Sequence, residues 1–295
     1  MKCQLCKKNA ILKSPRLCED HFIEYFERKI GKFIEKYHLK NKKLLIAISG
    51  GKDSVVVGYV LSKLQEKYNL SLEYFFIRLG IPSFTEKSEE IAKKVTQEIG
   101  YPLTIYDLKE EEGFVIPDIK YKPCSYCGMT RRYILNKYAY ENKFDYVVMG
   151  HNLDDEVFFA FNNLFGKNIS QIQRTGPLTE TNFEKKLVGR VKPLYYLTEE
   201  EILLYAKLKN LPYIGCACPN SMESTQKKFK TKTEFTRDQK LNFIYSILEI
   251  KKFLPEETVE IKFCEKCGFP TTSNICKFCR TKEKILTGTL GKKMK

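Results

Sequence analysis

The sequence predicts an α/β protein built on a doubly wound parallel sheet and flanked by N- and C-terminal zinc modules. Three observations predict it: a strand, glycine turn and helix in succession at residues 44–64, further apolar runs alternating with helical periodicities to residue 149, and cysteines gathered in close pairs at both ends. The first is the most specific. Leu44 to Ile48 is a continuous apolar run, Ser49-Gly50-Gly51-Lys52-Asp53-Ser54 follows directly, and a helix-like run from Val55 to Leu64 leaves it. Two glycines let the backbone approach a ligand closely. The first amides of the following helix lack internal partners, and its dipole adds partial positive charge, so phosphate is the natural guest. The loop is not of the Walker type, whose earlier glycine would fall at Ile46.

The other elements follow from periodicity. Phe22, Tyr25, Phe26, Ile30, Phe33, Ile34 and Tyr37 recur at helical spacing and predict a connecting helix over 22–39. Leu72 to Leu79 predicts a buried strand. Ser83-x-x-Glu86 has the form of a capping box opening a helix with Ile91, Ala92, Val95 and Ile99 on one face and Gly100 at its end. Leu103 to Leu108 and Phe144 to Met149 predict two more strands. The phosphate loop, Leu79-Gly80 and Gly150-His151 then all fall at carboxyl ends of strands, where such a sheet binds its ligands. Thr198-x-x-Glu201 predicts another capped helix, through Leu208, and helical spacing returns through Leu241, Ile244, Ile247 and Leu248.

Composition narrows the partners. With 51 basic against 36 acidic residues the formal charge is +15 at pH 7, which favours an acidic partner, most often nucleic acid. No run approaches the roughly 18 apolar residues of a membrane span, and no apolar segment follows the basic start, so no membrane partner and a cytoplasmic location are expected. Of the eleven cysteines, ten fall in local pairs, the arrangement of metal ligands rather than disulfides. Cys3, Cys6, Cys18 and His21 form a complete Cys3His tetrahedral set, and Cys264, Cys267, Cys276 and Cys279 a zinc ribbon. Two zinc ions are expected there. The division implied is a zinc finger at 1–22, the connecting helix at 23–42, a catalytic domain at 43–253, and a ribbon with basic tail at 254–295.

Inside the catalytic domain, Gly150-His151-Asn152-Leu153-Asp154-Asp155-Glu156 places three carboxylates at a helix start beside a strand end. Capping alone needs one or two such groups, so a site is the fuller explanation. Gln173-Arg174-Thr175-Gly176-Pro177 and Gly189-Arg190-Val191-Lys192-Pro193-Leu194 bring basic groups to the same rim, as site residues or as ordinary loop charge. Cys124 and Cys127 are some ninety residues from Cys216 and Cys218, so only the fold can bring them together. Three thiolates suit an iron–sulfur cluster with one open iron, four suit structural zinc, and Cys124/Cys127 alone suit a redox pair. Lys227, Lys228, Lys230 and Lys232 form a basic run that either meets RNA or is a solvated helix face.

At Ser49–Ser54 the chain resembles the PP-loop ATP pyrophosphatases (adenine nucleotide alpha hydrolase-like). Together with Cys124-Ser125-Tyr126-Cys127-Gly128-Met129-Thr130-Arg131-Arg132, the 150–156 run, Arg190-Val191-Lys192-Pro193-Leu194, Cys218-Pro219-Asn220-Ser221 and the terminal cysteine sets, it resembles the tRNA 2-thiouridine synthetases of the TtuA type, related to the TtcA-type thiolases. The resemblance covers nearly the whole chain. It implies a [4Fe–4S] cluster on Cys124, Cys127 and Cys218, although Cys216 departs from the family pattern and leaves the third ligand open between Cys216 and Cys218. It implies catalytic roles for Asp155, Arg131 and Lys52, with Arg131 standing where a lysine is common. ATP would be bound by Ser49, Gly50, Gly51, Lys52, Asp53, Ser54, Gly150 and Asp155, with Mg2+ screening the phosphates. The implied reaction adenylates the C2 oxygen of a tRNA uridine, of the T-loop or alternatively the wobble position, and replaces it with sulfur delivered through the cluster, releasing AMP and diphosphate. The sulfur donor would be a ubiquitin-like thiocarboxylate protein or free sulfide, and a homodimer is compatible with the family. A sulfurtransferase acting on a small metabolite and a zinc-ribbon RNA-binding protein are the competing readings.

Overall fold

The computed structural model describes residues 1–221, 226, 229–230, 234–255 and 260–290. Lys227, Lys228 and Lys232 of the basic run, and the lysines of the last five residues, lie outside them. The chain opens with a short hairpin, β1 (Leu12–Lys13) and β2 (Arg16–Leu17), followed by α1 (Glu19–Lys36). Helix α1 buries Phe22, Phe26, Ile30, Phe33 and Ile34, the stripe expected from spacing.

Then come β3 (Lys43–Ala47), α2 (Lys52–Tyr68), β4 (Ser71–Arg78), α3 (Phe84–Glu98), β5 (Leu103–Asp107), α4 (Leu108–Glu112), α5 (Pro123–Glu141), β6 (Tyr146–Val148), α6 (Leu153–Phe165), α7 (Ile169–Gln173), β7 (Leu178–Thr179), β8 (Gly189–Val191), α8 (Glu199–Leu208) and α9 (Arg237–Phe253). The sheet order is β5-β4-β3-β6-β8-β7, parallel throughout except for the antiparallel edge strand β7. After β3 the chain winds outward through β4 and β5, then returns to place β6 on the other side. The strand order therefore reverses between β3 and β6, and the loops at 48–51 and 149–152 face each other there.

Strand alternation fills two layers. Leu44, Ile46, Tyr74, Phe76 and Val148 point to the layer of α1, α2 and α8, while Leu45, Phe75 and Val147 point to the layer of α5. The ribbon, with β9 (Lys262–Phe263), β10 (Pro270–Thr271) and α10 (Lys277–Leu286), joins this second layer. Phe278 of α10 stacks on Tyr133 of α5 with ring centroids 3.8 Å apart, and Lys282 pairs with Glu112 at 2.6 Å. The start of the expected basic tail is thus helix, docked through Lys282. Among the described residues no helix is long and apolar enough to cross a membrane.

Two local expectations fail for identifiable reasons. Ser83 forms no capping box. Its φ is +58 and its side chain caps nothing, while Thr85 Oγ1 instead accepts from the Ile81 amide at 2.9 Å. The strand expected to reach Leu108 stops at Asp107, because that carboxylate accepts the amides of Lys109 and Glu110 and starts α4. The box at Thr198 and Glu201 does form, with both reciprocal bonds present.

Candidate active site

The turn after β3 is knitted by its own hydroxyls. The Ser49 amide donates to Ser54 Oγ at 3.0 Å, and that hydroxyl donates to the Gly51 carbonyl at 2.9 Å. Gly50 sits at φ +73, where a Cβ would meet the Ser88 carbonyl oxygen at 2.6 Å, so no larger residue fits. Gly150 plays the matching part from β6. A Cβ there would come within 3.0 Å of the Ser54 amide nitrogen. The amides opening α2 thereby face the space between the two loops.

Asn152 caps α6, accepting from the Asp155 amide at 3.1 Å, while Asp155 Oδ2 accepts from the Asn152 amide at 3.2 Å. Asn152 Nδ2 also donates to Asp53 Oδ1 at 3.3 Å, tying the two motifs together. The three carboxylates at this helix start each have a separate lysine. Asp154 pairs with Lys240 at 2.6 Å, Asp155 with Lys230 at 2.7 Å, and Glu156 with Lys192 at 2.7 Å. Capping and pairing coexist here, and the acidic run is more than a cap.

Lys52 Nζ lies 2.9 Å from Glu199 and 3.2 Å from Asp53. Burial works against its charge, but those two carboxylates outweigh burial and raise its pKa. Glu199 is also shared with Lys230 at 3.0 Å. Burial alone would raise its carboxyl, yet the two lysines bring it down to about 2. Burial raises the pKa of Asp53 against the pull of Lys52.

Next to these pairs lies a cavity of about 640 Å³, lined among others by Ser49, Asp53, Asp155, His151, Arg131 and Arg190. His151 Nδ1 is buried without a hydrogen-bond partner. Burial, opposed by Asp155 and reinforced by Lys192, Arg190 and Arg132, pushes its pKa down to about 4, so the ring is neutral at pH 7.

At the rim the fold brings Cys124, Cys127 and Cys218 together. Pro123 opens α5, so Cys124 lies in the first helical turn, and its thiol donates to the Asn220 carbonyl at 3.0 Å. The turn 218–221 closes through the Ser221 amide and hydroxyl, both bonding the Cys218 carbonyl. Ile214 anchors this segment by donating its amide to the Gly50 carbonyl at 2.9 Å. Burial raises the Cys127 thiol, Arg131 opposes it, and Cys218 and Cys124 raise it further. Cys216 is exposed. The donor set at Cys124, Cys127 and Cys218 fits a cluster bound through three thiolates.

The terminal sets are tighter. The ligand atoms of Cys3, Cys6, Cys18 and His21, and those of Cys264, Cys267, Cys276 and Cys279, each lie within 4.8 Å of one another. Cys6 and Cys18 sulfurs are 3.7 Å apart and those of Cys267 and Cys276 3.8 Å. Thiolates about 2.3 Å from a tetrahedral zinc are separated by about 3.8 Å. Burial would raise the thiol of Cys3 and that of Cys264, but backbone amides lower each to about 6, as knuckle turns do.

A glycine turn and helix start at the switch point of a parallel sheet, with a lysine and two acids facing it, define a nucleotide-binding protein that grips phosphate by backbone amides without a Walker loop. The sequence profile of a family described as a PP-loop domain matches residues 23–223. The chain is 44% identical over 95% of its length, and 93% of the other's, to the tRNA-5-methyluridine(54) 2-sulfurtransferase of Pyrococcus horikoshii. It is 36% identical to the enzyme of the same name from Thermotoga maritima, over 97% of both chains. A solved structure, the U34-tRNA thiolase NcsA from Methanococcus maripaludis with its [4Fe-4S] cluster, superposes with a TM-score of 0.81 at 28% identity, covering 95% of each chain. The chain belongs to the PP-loop family, in the branch of the tRNA 2-sulfurtransferases.

Three participants were not legible beforehand. Lys230 stood in a basic run read as RNA-facing or solvated, yet its ammonium is turned inward between Asp155 and Glu199. Glu199 follows a capping threonine and reads as ordinary first-turn acid. Gln226, donating to Asp155 at 2.7 Å, carries no signal in sequence. Only the charge contrast of Lys230 with the acidic run at 154–156 hints at the pairing.

Proposed function

We propose that this chain is an ATP-dependent tRNA sulfurtransferase that adenylates the C2 oxygen of a uridine and exchanges it for sulfur. The observation that carries the reading is on α5. Arg131 lines the nucleotide cavity and, one turn after Cys127, opposes the burial that raises that thiol, so one helix serves nucleotide and sulfur chemistry together.

In this reading the amides and hydroxyls of 49–54 hold the β,γ-diphosphate and Lys52 neutralises it, with Mg2+ screening the remaining charge. The uridine oxygen attacks the α-phosphate, diphosphate leaves, and the adenylated oxygen becomes a good leaving group. Asp155, fixed by Lys230, Gln226 and the Asn152 amide, takes the acid–base part. Arg131 stabilises charge at the reacting centre. Cys124, Cys127 and Cys218 would hold a [4Fe–4S] cluster, which when bound would supply the sulfur for the exchange. The modules at 1–22 and 254–295, each with one zinc, grip RNA on either side of the body at 43–253, and the connecting helix at 23–42 joins the first to it. Sulfur comes from free sulfide or from a thiocarboxylate-bearing carrier protein.

The relatives named for methyluridine 54 favour the T-loop, whereas the structural neighbour is named for U34. Anaerobically purified protein incubated with tRNA, ATP and sulfide is expected to yield AMP, diphosphate and 2-thiouridine, located by nuclease mapping and mass spectrometry. Formation of ADP, or no thiolated nucleoside with a reconstituted cluster, would overturn the reading. Cys218→Ala is expected to abolish cluster absorbance and thiolation together, while Cys216→Ala keeps most of both. The opposite pattern would make Cys216 the third ligand.

A further inference from the structure

Charge matching around the cavity leaves a remainder. Its carboxylates are Asp53, Asp155 and Glu156, and each is paired with a lysine: Lys52, Lys230 and Lys192 respectively. The cavity is also lined by Arg131, Arg132, Arg174 and Arg190. Among the described residues none of these four guanidinium groups pairs with a carboxylate, although the Cys127 sulfur bears on the charge of Arg131 and Arg132. Three separate elements aim them inward: α5, the end of α7, and β8. Burial and the charge of Arg132 both lower the pKa of Arg190, the mark of like charges held together without a counter-ion.

Converging unpaired guanidinium groups are costly in a folded chain unless an anion joins them, and their planar forks match phosphoryl oxygens. For Arg190 the diphosphate loop is not the nearest partner. Arg190 is on β8, two strands from β3, an offset of about 10 Å across the sheet. Beside them the neutral His151 leaves Nδ1 without a partner, one more hydrogen-bonding position for the same guest.

We propose that Arg132, Arg174 and Arg190 form a second phosphate site, separate from the loop at 49–54, which holds the phosphoryl group at the reacting end of the cavity. It rests on the adenylating reading above. The group is either the α-phosphate of the nucleotide or the backbone phosphate next to the target uridine. Both are phosphate monoanions entering the same fork.

The test uses the full-length protein with its metals. Binding of ATP, AMP, diphosphate and tRNA is measured for wild type, Arg190→Gln, Arg190→Lys and the Arg132→Gln/Arg190→Gln pair. Diphosphate affinity is expected to stay at the wild-type value, which also reports an intact loop and fold. If the α-phosphate is held, Arg190→Gln weakens ATP and AMP by about 10- to 100-fold and leaves tRNA unchanged. If the RNA phosphate is held, tRNA weakens by a similar factor, with a shallower salt slope, and ATP is unchanged. Arg190→Lys recovers part of either loss. Unchanged affinity for ATP, AMP and tRNA in the double variant overturns the site. A wild-type protein that makes no 2-thiouridine, yet loses ATP affinity on Arg190→Gln, would overturn thiolation and keep the phosphate site.

Discussion

At the scale of single residues, the site works by sharing charges. Lys52 is the clearest case, because Glu199 and Asp53 keep its ammonium charged and hold it beside the start of α2. Lys52→Ala is expected to abolish conversion of ATP to AMP while leaving tRNA affinity within about twofold, checked by product chromatography and filter binding. A second residue, outside the site, gives a pH test. Glu89 accepts Nε and Nη2 of Arg78 at 2.7 and 2.8 Å, and Arg78 reaches Asp107 at 2.7 Å. The Arg78 hydrogen bonds hold the Glu89 carboxyl at about 2, below its ordinary 4.5. A carboxyl depressed on folding contributes its full stability above the unfolded value and loses it as pH falls through the folded one. Glu89→Gln should therefore cost about 2 kcal/mol at neutral pH, with wild type and variant converging between pH 4.5 and 2 in denaturant titrations. A gap independent of pH would rule this pairing out as the cause.

Among elements, α5 bears the widest load: Cys124 in its first turn, Cys127 in its second, arginines 131 and 132 in its third, and the ribbon against its flank. Phe278 of α10 is buried against Tyr133 of α5 and Phe114, which follows α4. Phe278→Ala is expected to destabilise the chain by about 3 kcal/mol, with hydrogen-exchange protection over 264–286 lost first. Protection lost uniformly along the chain would mean that the ribbon has no separate stability. The sheet and its principal helices were legible in sequence because buried parallel strands are written as apolar runs and helix faces as 3.6-residue stripes, as at 44–48 and 22–37. Ser83 misled because its pattern is satisfied by many turns, and a left-handed backbone at that position is invisible in composition. The loop at 49–54 and the acids at 154–156 were legible as local clusters. Lys192 was legible as a basic group at the same rim, but which acid each lysine meets was not, since pairing across 36 to 86 residues leaves no local spacing to read.

For the whole molecule, the excess of 15 positive charges bears on RNA. Affinity for tRNA should fall steeply with salt, by at least about 100-fold between roughly 50 and 200 mM, as several phosphates exchange their counterions. A flat response would point to a small substrate. The three lysine partners of the α6 carboxylates have a consequence in time as well as in space. Lys192, Lys230 and Lys240 all follow residue 190, whereas the phosphate loop ends at Ser54 and the acids at Glu156. During synthesis on the ribosome the nucleotide loop emerges long before its acids can be neutralised. A nascent chain halted before residue 192 holds a loop beside three carboxylates whose lysines do not yet exist, and the last of them, Asp154, is matched only once residue 240 has been added.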